Sequence, residues 1–164
     1  MREVIDEYDF VIIDTPPNFG LLLSAGLMAA DYVLIPVQAA PFALAGLNDL
    51  LQVIEDIRDL NEKLEIIGAV CTRYDTRTRI SKQSHQKLLE LGKEINLNIF
   101  DTVINQDTNL EASPQTNQPI QLYAPNSRGA EEYGKLTGEI LNLMEGFNSD
   151  YSLQIVKGNK VSNG

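Results

Sequence analysis

Asp14 stands at the end of an unbroken apolar run, Phe10 to Ile13, and is followed by Thr15, the pair Pro16-Pro17 and then Gly20. A run of this kind, without alternation, suits a strand buried on both faces of a parallel sheet. Ligands of such sheets sit beyond the carboxyl ends of the strands. A carboxylate there can hold Mg²⁺, usually through water, because this ion dehydrates reluctantly. The Pro-Pro pair stiffens the turn, and Gly20 allows close backbone approach or a positive φ where the next helix begins. Strand, acid, rigid turn and glycine together suit a loop that senses phosphate. The competing reading is a strand whose last aspartate caps the following helix.

Other residues that could do chemistry are few. Arg77, Arg79 and Lys82 form a basic cluster at the start of an amphipathic stretch. Such a cluster is either a solvated helix face or a set of contacts to nucleic-acid phosphates, each adding salt-dependent affinity. Cys71 lies in an apolar run and reads as a small core residue. His85, the only histidine, sits among Gln83, Ser84 and Gln86 and reads as an exposed side chain, with no nucleophile set around it.

The elements that must position these residues alternate along the chain. Apolar runs predict strands over 10–14, 32–37, 66–72 and 98–104. Helical spacing predicts a short helix from Leu21 to Ala30 and long helices over 42–61, 79–95 and 127–147, with Pro41 as a first helical residue. Strand and helix alternate, which predicts an α/β fold with a mainly parallel sheet and flanking helices. Residues 105–126 are rich in Asn, Gln and Pro and read as a long functional loop with one helical turn. Residues 1–147 form one domain in this reading, and 148–164 a disordered tail.

Composition narrows the class. The 164 residues suffice for one domain, and 43% hydrophobic content supports a real core. No run approaches the ~18 apolar residues of a membrane span. The single cysteine excludes an internal disulfide, so a cytoplasmic setting is the expectation. The net charge of −10 argues against a general polyanion binder, yet residues 73–93 are locally basic.

Taken together, "YDFVIIDTPPNFGLLLSAGLMAADYVLIPV" closely resembles the Walker B and switch II region of the ParA/MinD family of deviant Walker P-loop ATPases, which partition plasmids and chromosomes. "PFALAGLNDLL", "AVCTRYDTRTRIS" and "QPIQLYAPNSRGAEEY" continue the resemblance in register. It implies a partial P-loop NTPase fold and binding of ATP and Mg²⁺. Asp14 would be the Walker B carboxylate, holding Mg²⁺ through water, and Thr15, Pro16, Pro17 and Gly20 would belong to switch II. Thr72, Arg73 and Asn105 would lie near the adenine base, Asn105 replacing a usual proline. The resemblance also implies a ParB-like centromere-binding partner, a homodimer of the complete protein and a nucleoid-associated place in the cytoplasm, and the tail, lacking a basic amphipathic helix, predicts no membrane binding. Arg77, Arg79 and Lys82 would contact DNA, while Gln106 and Asn109 stand where the family commonly has arginines.

The family's Gly-rich phosphate loop, with its lysine, has no counterpart in this sequence. "GKLT" at Gly134 to Thr137 lacks a hydroxyl residue directly after the lysine, and such loops cradle phosphate with backbone N–H groups. The expectation is a C-terminal portion of a ParA-type ATPase, inactive alone. The alternative is a non-catalytic module that binds a partner or a full-length homologue. In this fold the phosphate-loop strand runs between the strands at 10–14 and 32–37, so a gap is expected there, closed by the sheet or filled by another chain.

Overall fold

A computed structural model describes residues 8–16 and 18–147. The elements are α1 (Leu21–Ala29), β1 (Tyr32–Gln38), α2 (Ala43–Arg58), β2 (Glu65–Thr72), α3 (Arg79–Glu94), α4 (Thr108–Ala112), a 3₁₀ turn (Ser113–Thr116), α5 (Ile120–Tyr123) and α6 (Arg128–Phe147). The expected α/β class with a parallel sheet and flanking helices is what forms. The predicted tail, 148–164, lies outside the described residues.

The two strands pair in parallel, from Tyr32 beside Glu65 to Gln38 beside Thr72. Their register shifts between Val33 and Leu34, where Ile67 is the extra residue. Gly68 follows it at φ 151°, and a Cβ there would stand 2.8 Å from the Asn98 carbonyl oxygen, so only glycine fits.

The sheet buries different residues on its two faces. Ile35 and Val37 of β1 and Ala69 and Cys71 of β2 pack with Leu23 and Leu27 of α1, Leu47, Ile54 and Ile57 of α2 and Leu88 of α3. Ile67 and Val70 pack on the opposite side with Phe100, Ile104 and Leu136 of α6. Full burial of a side chain such as Ile54 or Leu88 stabilises by roughly 1.5–3 kcal/mol. Leu34 and Pro36 point away from the first cluster and remain exposed, because the second cluster covers β2 rather than β1.

Two strand expectations need correction. Residues 10–14 are not a strand. Phe10 to Ile13 are apolar, but among the described residues nothing pairs with this stretch, and a strand exists only through its ladder. Phe10, Val11 and Ile12 are exposed, Ile12 by 91%. Residues 98–104 run beside β2 but form no continuous strand. Ala69 N donates to Asn98 O at 2.8 Å, Phe100 N to Ala69 O at 3.0 Å and Ile104 N to Cys71 O at 2.9 Å. Between these the backbone turns its amides elsewhere: Asp101 N and Thr102 N donate to the Glu139 carboxylate of α6 at 2.9 and 3.0 Å.

The helices fall close to their expected spans, with two differences. Pro41 lies in the turn before α2, whose N-cap is Phe42. The stretch 105–126 holds three short helical pieces rather than one turn. Asp107 starts α4 by accepting from Asn109 N, and Pro114 opens the 3₁₀ turn, as capping and fixed φ favour.

Candidate functional site

The sequence-predicted residues fall into two groups. The first lies along 14–20. Asp14 and Pro16 are exposed and Thr15 half-buried, while Pro17 lies outside the described residues. Gly26 decides how this turn sits on α1, since a Cβ on it would meet Thr15 Cγ2 at 3.0 Å and Ile13 Cγ2 at 3.5 Å. Sequence reading missed Gly26. A glycine one helical turn from buried Leu23 was the available signal. Gly20 does not take the positive φ that was one of its two expected uses. Its backbone is extended, at φ −174° and ψ −176°, and a Cβ there would meet nothing within 4 Å. Gly20 O accepts from Ser24 N at 3.1 Å and so opens α1.

The second group forms where β2 ends. Ala39 N donates to Thr72 O at 2.9 Å, and Tyr74 and Asn105 form a parallel bridge. Tyr74 N donates to Ile104 O at 3.1 Å and Gln106 N to Tyr74 O at 2.9 Å. The bridge sets Asn105 opposite Tyr74, directly after Thr72 and Arg73 in the chain. Arg73 is held at φ 51°, a left-handed conformation that a non-glycine residue adopts at some cost. Its guanidinium pairs with Glu111 at 3.2 Å on the surface.

Asn105 is buried and tightly bound. Its backbone N donates to Glu132 Oε2 at 2.7 Å and its side-chain amide to Glu132 Oε1. Arg128 Nε also donates to Glu132 Oε1, at 2.6 Å. Asn105 Oδ1 is buried without a partner among the described residues, an acceptor that a buried site does not leave idle without cost. Asp107 completes the junction by accepting from Gly129 N at 2.9 Å. Burial, the largest single influence on Asp107, pushes its pKa up. The hydrogen bonds from Asn109 and Gly129, with the charge of Arg128, outweigh it and hold the carboxyl below its usual range.

Glu132 and Glu139 were not singled out from sequence, since glutamates on a helix read as a solvated face. Their signal was the spacing Glu132, Leu136, Glu139, which places both carboxylates on the face that buries Leu136.

The basic cluster is unequal. Asp75 accepts from Arg77 Nε, Arg77 NH2 and Arg77 N, each at 2.9 Å. The side-chain bond to Arg77 leads in drawing the Asp75 pKa down to about 2. Arg77 therefore has a fixed counter-ion within a tight turn, whereas Arg79 and Lys82 are exposed in the first turn of α3. Thr78 caps that helix by accepting from Ser81 N at 3.2 Å. Ser81 Oγ donates to Ala39 O at 3.4 Å, tying the end of β1 to the start of α3.

His85 is not simply exposed. Its ring packs edge-on against Tyr74, centroids 5.5 Å apart, and partial burial lowers its pKa. Cys71 is the core residue expected, with burial pushing its thiol up to about 11.

Among the described residues no group of three or more His, Cys, Asp or Glu could hold a metal. Asp14 is exposed and offers a single carboxylate, so a Mg²⁺ held there would need water and phosphate for its other ligands. No helix described is long and apolar enough to cross a membrane.

Comparison with known proteins gives these features a context. A family model described as an AAA domain matches residues 1–66. The chain is 38% identical over 142 residues to a chromosome-partitioning ATPase Soj of Treponema pallidum, covering 86% of this chain and 55% of that one. It is 39% identical over 141 residues to the sporulation initiation inhibitor protein Soj of Bacillus subtilis, covering 85% and 54%. A chromosome partitioning protein ParA of Myxococcus xanthus is 36% identical over 142 residues, covering 86% and 49%. The fold is similar to crystal structures of cobyrinic acid a,c-diamide synthase from Mycobacterium smegmatis. One has a TM-score of 0.67 at 26% identity, covering 96% of this chain and 56% of that one. Another, with bound ADP and magnesium, has a TM-score of 0.66 at 27% identity, covering 93% and 53%. The chain thus spans about half the length of the curated relatives it matches.

Proposed function

Since this chain belongs to the ParA/MinD family of P-loop ATPases, we propose that it supplies the Walker B, switch II and base-side part of an ATPase that partitions chromosomes or plasmids. Identity of 38% over 86% of the chain to a chromosome-partitioning Soj carries this reading. ATP and Mg²⁺ are the proposed ligands. Asp14 holds the ion through water, and Thr15 to Gly20 respond to the terminal phosphate. Thr72, Arg73 and Asn105 line the base. Bound Mg²⁺ would neutralise charge on the phosphates. The residues of this chain orient the ion and the base and offer no Gly-rich cradle. Phosphoryl transfer depends on positioning and electrostatic stabilisation of the phosphates, so turnover requires a phosphate-loop segment beside this one.

DNA binding falls to Arg79 and Lys82, because Arg77 is neutralised by Asp75. A ParB-like protein is the proposed partner, a homodimer the proposed state of the complete protein, and the nucleoid its proposed place. The second reading is a non-catalytic module that binds a partner or a full-length homologue.

The test is ATP hydrolysis. Residues 1–164 alone should show no activity above background. Supplying a phosphate-loop segment should give magnesium-dependent hydrolysis that Asp14→Ala abolishes. Hydrolysis by the chain alone, lost on Asp14→Ala, would overturn the proposed division of labour. No hydrolysis after complementation would favour the non-catalytic module.

A further inference from the structure

Helices α2 and α3 pack on the same face of the sheet through Leu47, Ile54, Ile57 and Leu88. Both open at the end where the strands finish. Ser81 Oγ in the first turn of α3 donates to Ala39 O, just past β1, and Phe42, three residues on, is the N-cap of α2. Both close toward the end where the strands begin. The chain after α2 enters β2 at Glu65, beside Tyr32, and the chain after α3 returns to β2 at Asn98, whose carbonyl accepts from Ala69 N. At 16 residues each, the helices hold their two ends about 24 Å apart.

The two ends are alike in apolar surface and opposite in charge. At the opening end Phe42 is 86% and Ile80 56% exposed. No acidic residue occurs from 76 to 89 and no charged residue from 32 to 48. Arg77 is held by Asp75, so the charges offered there are those of Arg79 and Lys82, both exposed. At the closing end Leu60 is 70% and Ile95 42% exposed. Arg58 is held by Glu55, which leaves Asp56, Asp59, Glu62, Glu65, Glu90 and Glu94 exposed against Lys63 and Lys93. Single exposed apolar residues need no partner. Here two large ones stand at each end of the same helix pair, among cations at one end and mainly among carboxylates at the other.

We propose that this chain associates with further copies of itself head to tail, the Phe42 and Ile80 end of one copy docking on the Leu60 and Ile95 end of the next. Charge complementarity selects that occupant. Like ends repel, cation against cation or carboxylate against carboxylate, which disfavours a two-fold dimer through either end. The contact is therefore heterologous, and contacts of that kind grow into open chains unless the rotation closes a ring. The net charge of −10 opposes association at longer range. Salt near 0.1 M damps that repulsion beyond about 10 Å, whereas ion pairs at a docked end lie inside this distance. Nucleic-acid phosphates would use Arg79 and Lys82 but have no use for Phe42 or Ile80, and they would be repelled at the Leu60 end. The inference does not depend on the proposed function, and its contact is separate from the homodimer proposed for the complete protein.

Sedimentation of the full 164-residue chain tests it, without nucleotide or DNA and at about 0.1 M salt. The weight-average mass should climb with concentration past that of a dimer. Phe42→Asp spoils one end, and because aspartate serves well at a helix N-cap, folding is spared. Leu60→Asp spoils the other end, on a side chain that faces solvent. Each substitution should weaken association about tenfold or more, as loss of an apolar anchor does. An equimolar mixture of the two variants should associate again and stop at the dimer, since the intact Phe42 end of one meets the intact Leu60 end of the other. Leu122→Asp, as exposed but on α5, should behave as the unaltered chain. A monomer at every concentration would overturn the proposal and leave Arg79 and Lys82 to nucleic acid alone. So would a plateau at the dimer for the unaltered chain, association that survives Phe42→Asp and Leu60→Asp, equal weakening by Leu122→Asp, or a mixture that gains nothing over its parts.

Discussion

The two edges of the sheet are finished in opposite ways. On the far side of β2, residues 98–107 lie under α6, and their outward amides are accepted by the carboxylates of Glu139 and Glu132. Thr102 Oγ1 donates to Glu139 as well. Side-chain oxygens replace the carbonyls of a neighbouring strand, and the edge needs nothing more. On the near side β1 pairs, among the described residues, with β2 alone, and most of the exposed large apolar side chains described lie before residue 43. The closed edge carries Thr72, Arg73 and Asn105, the proposed base-side residues, and the acid-ended turn packs on α1 at Gly26. The lesson is that one half of the candidate site is held by the chain itself and the other half is only presented.

The largest effect that would break this contrast is at Glu132. Glu132→Ala leaves Asn105 N buried without an acceptor and its side-chain amide with only the Val103 carbonyl oxygen, at about 2–4 kcal/mol by the cost of unpaired buried donors. Urea unfolding measures it, and a loss below about 1 kcal/mol would show that the clamp is dispensable. Gly68→Ala should cost about 1–3 kcal/mol, because the new Cβ would press on Asn98 O and Phe100 at 2.8 Å from a backbone at φ 151°.

A smaller effect is expected of acid at Asp75. Its pKa is lowered from 3.8 to about 2, led by the side-chain hydrogen bond from Arg77. A depressed folded pKa contributes stability that is present above the unfolded value and lost as pH falls through the folded one. Asp75→Asn should therefore flatten the fall in melting temperature between about pH 4 and pH 2. An unchanged acid limb would mean that the turn forms without the pair. The smallest effect belongs to the open edge. Ile12→Asp should change the stability of the isolated chain by no more than about 0.5 kcal/mol, as surface substitutions do. A larger loss would show that residues 8–14 are already packed.

The sequence foretold the parts that local pattern determines. The apolar runs at 32–37 and 66–72 became β1 and β2 because each found the other, and the long helices followed their buried stripes. Phe10 to Ile13 shows the limit. An apolar run signals a tendency to be buried and says nothing of whether a neighbour is there to pair with it. Residues 98–104 show a second limit, since their departure from β2 depends on Glu139, thirty-odd residues away. The proposed base-side group was named as Thr72, Arg73 and Asn105, but Glu132, which fixes Asn105, looked like any surface glutamate. At Gly20 the residue type allowed close backbone approach or a positive φ, and the backbone there is extended, with no positive φ.

Amide hydrogen exchange on the isolated chain tests the contrast most directly. The account predicts strong protection at Thr102 and Asn105, whose amides reach Glu139 and Glu132, and rapid exchange at Leu34 and Gln38 on the open side of β1. Equal protection on both sides would contradict it, for the near edge would then be as closed as the far one.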